Sequence, residues 1–290
     1  MYIPNELKKT VDKPYQEEIT DNLIDNLFQI IEQFFADKHM FSEDDFTIRI
    51  LDEYILKTNC HKDIFTTLYI EIDQPLNYRP KLKPKNHKPG KFDIPDLYIS
   101  LSDIRKGITQ ACLNHFDSNN IIWIDRASIC IKSNVMLDDN TSSDYYFRII
   151  PALTYYNENN VRGLVYYHGN DIQIEYPQKF IDNYNHKNKQ TKGKYRDIVL
   201  ILKNILLKNN KIDNLPSEII ETLVYNVPNE FLKGDDKDSM LRLINFIRNH
   251  SLKEFKTVDE QDSAFGSIYR GMSPYYCKHI LRIIENYLAR

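Results

Sequence analysis

The sequence has no run of 18 or more apolar residues, which leaves it without a segment of membrane-spanning length. Its opening residues, MYIPNELKK, lack the apolar core of a signal peptide, so the expected location is cytoplasmic and no membrane partner is expected. The four cysteines, Cys60, Cys112, Cys130 and Cys277, stand apart, with no CxxC and no Cys/His pairing at zinc spacing. That argues against disulfides and structural zinc. A Walker A loop, HExxH, GxSxG and GxGxxG are also missing, and with them the chemistries those motifs carry. No internal repeat is evident. The formal net charge of −3 gives no overall pull on nucleic acid, so any polyanion contact has to come from a local patch. Lysines cluster in two such places, around residues 79–91 and 185–211.

What is present is a 290-residue chain, 42% hydrophobic and 27% charged, long enough to bury a substantial core in one large domain or two lobes. Ile19, Leu23, Leu27, Ile31 and Phe34 recur along one stripe, which predicts a long helix over 15–36. FTIRIL (46–51) and TTLYIEID (66–73) are β-rich, the second alternating Leu68, Ile70 and Ile72 with Tyr69, Glu71 and Asp73. The proline- and lysine-rich run at 77–96 predicts an exposed loop. A helix follows from about 102, capped by Ser102, then strands in NIIWID, ASICIKSN and YYFRIIPALTYY, with LVYYHG and DIQIEY able to add a hairpin.

From Tyr176 the pattern turns helical. A Lys-rich loop feeds a helix over 195–207, whose apolar face is Tyr195, Ile198, Val199, Leu202, Ile205 and Leu206 and whose polar edge carries Arg196 and Lys203. Further helices are expected over 217–226, 239–249 and 274–288, with Ser217, Ser239 and Ser273 as N-caps and Pro274 at the first helical position. The fold class is α+β, a mixed-sheet lobe over 1–175 that includes the long first helix, and a helical lobe over 176–290.

Pro177, Lys189, Thr191, Tyr195, Arg196, Val199, Lys203, Ser217, Glu221, Leu223, Asn226 and Pro228 stand in the order and spacing of a motif in the second lobe of the cGAS/DncV-like nucleotidyltransferases. The chain resembles that family, which includes enzymes related to oligoadenylate synthetase and built on the polymerase-β-type nucleotidyltransferase fold. The resemblance covers about three quarters of the chain and continues weakly through FKTVDEQDSAFGS (255–267). It implies nucleotide or oligonucleotide ligands, a place in bacterial antiphage signalling, and either nucleic acid or an effector protein as a partner.

It also implies a demanding chemistry. Two Mg²⁺ ions held by three carboxylates stabilise the attacking and leaving oxygens, and a Gly-Ser turn grips the triphosphate through backbone amides. In this sequence the aligned stretch is DEYILKTN followed by DIF, so Tyr54, Thr58 and Asn59 match while Asp52 and Glu53 replace the Gly-Ser pair. The first carboxylate becomes Asp63, the second position is Phe65, and the third, three residues before Pro151, is Arg148. Two of three metal ligands are therefore missing, which predicts a catalytically degenerate protein needing no cofactor.

In a second register, Glu71 and Asp73, two apart on one strand, form the metal pair with Asp144 as a third acid; the protein is then an active Mg²⁺-dependent nucleotidyltransferase making a cyclic or linear oligonucleotide. A third possibility is a plain scaffold. Arg148 is expected to pair with Asp63 or Glu71 in place of metal charge. Lys203 and Ser217 match the family's triphosphate contacts, with Arg196, Lys192, Lys189 and Lys194 able to extend the surface toward a polynucleotide, while Glu218 stands where relatives carry a base-stacking tyrosine.

Overall fold

The computed structural model describes residues 5–8, 16–36, 46–50, 64–72, 101–116, 120–124, 128–136, 142–157, 159–168, 171–208, 218–265 and 273–289. Its elements fall into two compact units, one built around a sheet and one all-helical, and the one-turn segment Asn5–Lys8 groups with the helical unit. The expected loop at 77–96 and the residues Asp52, Glu53, Tyr54, Thr58, Asn59, Asp63, Asp73 and Ser217 lie outside the described residues.

The sheet unit holds α1 (Gln16–Ala36), β1 (Phe46–Ile50), β2 (Ile64–Ile72), α2 (Leu101–His115), β3 (Ile121–Ile124), β4 (Ile129–Met136), β5 (Ser142–Tyr156), β6 (Arg162–His168) and β7 (Asp171–Glu175). The strand order is β1-β2-β5-β4-β3, with β6 paired to the far end of β5 and β7 to β6. β2 and β5 run parallel, Ile64 opposite Tyr145 through Ile72 opposite Leu153, and the other pairings are antiparallel. The period of two along each strand sets the two faces apart. Leu68, Ile70 and Ile72 on β2, Phe147, Ile149 and Leu153 on β5, and Ile129 and Ile131 on β4 share one face and are buried with Leu27 and Ile31 of α1 and Ile108 and Cys112 of α2. The opposite face carries a smaller apolar cluster of Tyr69, Ile150, Ala152, Leu164 and Tyr166.

Beside that second cluster the sheet differs from the simple alternation read in its sequence. β2 lies between β1 and β5, not at an edge, and Glu71 is fully buried where an exposed acid would be the ordinary outcome. Gly163 on β6 is needed for another reason: a Cβ there would sit 2.7 Å from the Glu175 carbonyl oxygen and 2.8 Å from the Tyr176 ring, so only glycine lets these backbones approach.

The helical unit holds α3 (Pro177–Gln190), α4 (Lys194–Lys208), α5 (Glu218–Tyr225), α6 (Asp236–Asn249) and α7 (Pro274–Leu288). Two expectations are corrected here. The Lys-rich run after Pro177 is a helix, because Pro177, Tyr184 and Lys187 bury one stripe with Phe180 and Ile181 packed beside it. α6 starts at Asp236, three residues before the expected Ser239, because Asp235 is the cap and accepts hydrogen bonds from the Lys237 and Asp238 amides at 2.8 and 3.4 Å. At α7 the expected cap holds: the Tyr275 amide donates to Ser273 Oγ at 3.3 Å, with Pro274 in the first turn.

α4 is the hub of this unit and is buried on nearly every side, from Tyr195 and Ile198 through Leu206. It packs against α3, α5, α6, α7 and the Asn5–Lys8 turn. Asn204 donates to the Leu7 carbonyl at 3.0 Å, and Lys8 reaches Asp236 at 2.5 Å, which ties that turn to two helices. The polar edge expected along α4 is therefore interior at Lys203, which is 6% exposed.

Candidate functional site

Two regions carry the residues that the sequence singles out, one in each unit. In the sheet unit the parallel register places Thr67 opposite Arg148 and Phe65 opposite Tyr146, while β4 places Cys130 opposite Arg148 and Lys132 opposite Tyr146. These six positions share the face away from α1 and α2. Arg148 is half-buried, and its Nε donates to the hydroxyl of Ser128, a residue with no exposed surface, at 3.1 Å. Lys132 reaches over the Tyr146 ring, 5.9 Å from its centroid.

The Glu71 carboxylate lies further along the same face, opposite Ala152, four residues from the Thr67–Arg148 pair and so about 13 Å away. It is not Arg148's partner. Arg49 of β1 pairs with one oxygen of Glu71, while Arg162 of β6 at 2.9 Å and the Thr154 hydroxyl at 2.6 Å take the other. Burial pushes this carboxyl upward, and the Arg49 and Thr154 hydrogen bonds with the Arg49 and Arg162 charges outweigh it, so it sits below the ordinary glutamate value. The expected Arg148–Glu71 pair is corrected to Arg148–Ser128, and Glu71 is committed to two guanidiniums. A second carboxylate, Glu175, accepts from the Tyr69 and Tyr166 hydroxyls and fastens β7 to β2 and β6.

The resemblance implies magnesium, and among the described residues this face offers it no set of ligands. The place of the third carboxylate holds a guanidinium, Glu71 is neutralised by arginines, and among the described residues no group of three His, Cys, Asp or Glu could hold a metal ion.

In the helical unit α3 and α4 meet at Thr191, Lys192 and Gly193, where Lys192 (φ 53°) and Gly193 (φ 88°) are both left-handed. A helix start facing a lysine-rich turn has the makings of an anion site, because unpaired amides point outward there. Here those amides are taken. Lys194 N donates to the Thr191 carbonyl at 3.2 Å, Tyr195 N to Thr191 Oγ1 at 3.0 Å, Arg196 N to Asn188 Oδ1 at 3.1 Å and Asp197 N to the Gly193 carbonyl at 3.1 Å.

Several of the lysines are also committed. Lys203 pairs with Glu221 of α5 at 2.5 Å, both side chains nearly without exposure, and Lys194 pairs with Asp236 at 2.7 Å. Lys187, which sequence reading placed in a loop, donates to the Val227 carbonyl at 2.8 Å and Asn229 Oδ1 at 3.0 Å. Its ammonium lies 5.9 and 5.4 Å from the Tyr195 and Tyr225 ring centroids. Burial pulls its pKa down to about 8, opposed by the charge of Glu230. Lys189 and Lys192 are exposed, and Arg196 is half-buried with an Nε that makes no hydrogen bond. Sequence reading missed Ser128 and Lys132; the signal for Lys132 was the alternation of Cys130 and Lys132 against Ile129 and Ile131.

A mixed sheet with a parallel central pair, helices on one of its faces and a following helical unit define the α+β fold of the polymerase-β-type nucleotidyltransferases. The structure of the Elizabethkingia meningoseptica CdnE cyclic dinucleotide synthase with GTP and Apcpp matches it with a TM-score of 0.71 at 18% identity, over 98% of this chain and 97% of that one. The description "cGAS/DncV-like nucleotidyltransferase C-terminal helical domain" fits residues 182–289. Among curated proteins, the cyclic UMP-AMP synthase of Rhodothermus marinus is 26% identical over 54% of this chain and 52% of its own length. The cyclic dipyrimidine nucleotide synthase CdnE of Cecembia lonarensis is 27% identical over 61% of this chain and 63% of its own. The match thus spans about half to two thirds of each relative. The chain is similar to the cGAS/DncV-like nucleotidyltransferases, and its residues 182–289 match their C-terminal helical domain.

Proposed function

We propose that this protein is a nucleotide-binding member of its family that has given up nucleotide joining, and that it serves in bacterial antiphage signalling by holding a nucleotide or oligonucleotide or by engaging a partner protein. The observation that carries the reading is Arg148, fixed to Ser128 at the strand position where the family pattern places a metal-binding carboxylate. A two-metal reaction needs its ions anchored on both sides of the transferred phosphoryl group, and each factor of ten in rate is about 1.4 kcal/mol of transition-state stabilisation. A guanidinium in place of one anchor and Phe65 in place of another remove far more than that. Nucleotide binding is supported by the likeness to a cyclic dinucleotide synthase solved with GTP and Apcpp. The signalling role rests on the resemblance alone.

One finding favours a second reading, an active Mg²⁺-dependent synthase: both curated relatives are named as synthases. Incubating the pure chain with labelled NTPs and dNTPs plus Mg²⁺ or Mn²⁺, with and without nucleic acid, separates the two. A product that disappears in Asp63→Ala establishes the synthase and overturns the degenerate reading. Glu71→Ala is not a usable control, because Glu71 braces three strands. Nucleotide binding without product is the expected result, and absence of both leaves a scaffold.

A further inference from the structure

We infer that the strand face centred on Arg148 and Lys132 seats phosphate oxygens directly, without a divalent metal ion. This rests on the nucleotide-binding reading above and gives it a mechanism. The positions come from register alone: Cys130 opposite Arg148 and Lys132 opposite Tyr146 put two cationic side chains on neighbouring strands and one face, at diagonal positions whose Cα atoms are about 7–8 Å apart. A phosphate group is about the size that two such side chains can reach from opposite sides.

Arg148 is prepared for the task. Its Nε is used by the fully buried Ser128 hydroxyl, which orients the planar group, while no carboxylate among the described residues meets its two terminal nitrogens. A guanidinium held this way offers parallel donors that match two oxygens of a phosphate. Its immediate neighbours across the strands, Thr67 and Cys130, are uncharged. Asp144, four residues along β5, is about 13 Å from Arg148 and holds the other diagonal position to Lys132, so Arg148 is the principal donor of the seat. Where the family's chemistry brings anions together through metal charge, this face supplies fixed positive charge of its own. A divalent ion beside Arg148 would meet a like charge.

The test is calorimetric titration of the full chain with inorganic triphosphate and with a non-hydrolysable NTP, each in EDTA and in Mg²⁺. The expected result is binding in EDTA as tight as in Mg²⁺. Arg148→Gln, checked for intact fold by circular dichroism, should weaken it about ten- to a hundredfold, as the loss of a charge-assisted bond does. Arg148→Lys should fall between, and Lys132→Gln provides an independent variant if Arg148→Gln does not fold. Binding that requires Mg²⁺, or binding in EDTA untouched by both substitutions, overturns this inference and leaves the nucleotide-binding reading standing. No binding in either condition removes both.

Discussion

Lys203 stands at a position that matches a triphosphate contact in the family, and the structure places it against Glu221 inside the helical unit. The two roles make different predictions. Lys203→Met keeps the length and volume of the side chain and leaves a carboxylate that is 1% exposed without its cation. Removing one member of a buried pair costs about 3–5 kcal/mol, whereas exchanging both for apolar groups is often neutral. Lys203→Met should therefore lower the melting temperature by roughly 6–20 °C, at about 2–4 °C per kcal/mol for a chain of this size, and Lys203→Met/Glu221→Met should restore most of the loss.

The two units can be followed separately in urea. Trp123, the one tryptophan, lies on β3 of the sheet unit and reports there by fluorescence, while far-UV circular dichroism is weighted toward the helices. The dichroism transition should move to lower urea and the fluorescence transition should stay. A cost below about 1 kcal/mol for Lys203→Met, the range of exposed pairs, would refute the reasoning and return Lys203 to the list of free phosphate contacts. If the double variant regains stability and still fails to bind nucleotide, Lys203 has a ligand role besides the structural one.

Three further outcomes are expected. Lys187 has a folded pKa of about 8, below the unfolded value of 10.5, so the unfolded chain binds more protons between the two and stability should rise with pH there. Urea midpoints should show a gain of about 2 kcal/mol from pH 7 to 9.5 that is absent in Lys187→Met. Glu71 has the same sign in a lower window: its carboxyl is held below 4.5, so its contribution is present above that pH and lost as pH falls through the folded value, and Glu71→Gln should flatten the acid limb of a stability profile. Gly163→Ala should cost about 1–3 kcal/mol in the Trp123 fluorescence transition, because the added methyl collides with backbone at Glu175.

The strands were legible because Leu68, Ile70, Ile72 and their counterparts on β4 and β5 alternate cleanly and one face is covered by α1 and α2. The last helix was legible from Ser273 and Pro274. What stayed hidden depends on groups far apart in the chain or on polar groups acting as core. α3 was hidden because two of its buried positions are Tyr184 and Lys187, and neither scores as plainly apolar. The state of Glu71 was hidden because its partners Arg49 and Arg162 stand 22 and 91 residues away. The place of Arg148 on its strand was legible, three residues before Pro151; its anchor at Ser128 was not.

The parallel pairing of β2 with β5 also governs when this protein can fold. Ile64 waits for Tyr145, about eighty residues later, and α2, β3 and β4 are made in between. At about 5–20 residues per second of synthesis, β1 and β2 exist for several seconds as a two-stranded ribbon with an open edge. That ribbon shows Leu68, Ile70 and Ile72 to whatever is nearby until its partner arrives. Yield from a cell should therefore respond to temperature and to chaperone supply more than the stability of the finished sheet would indicate.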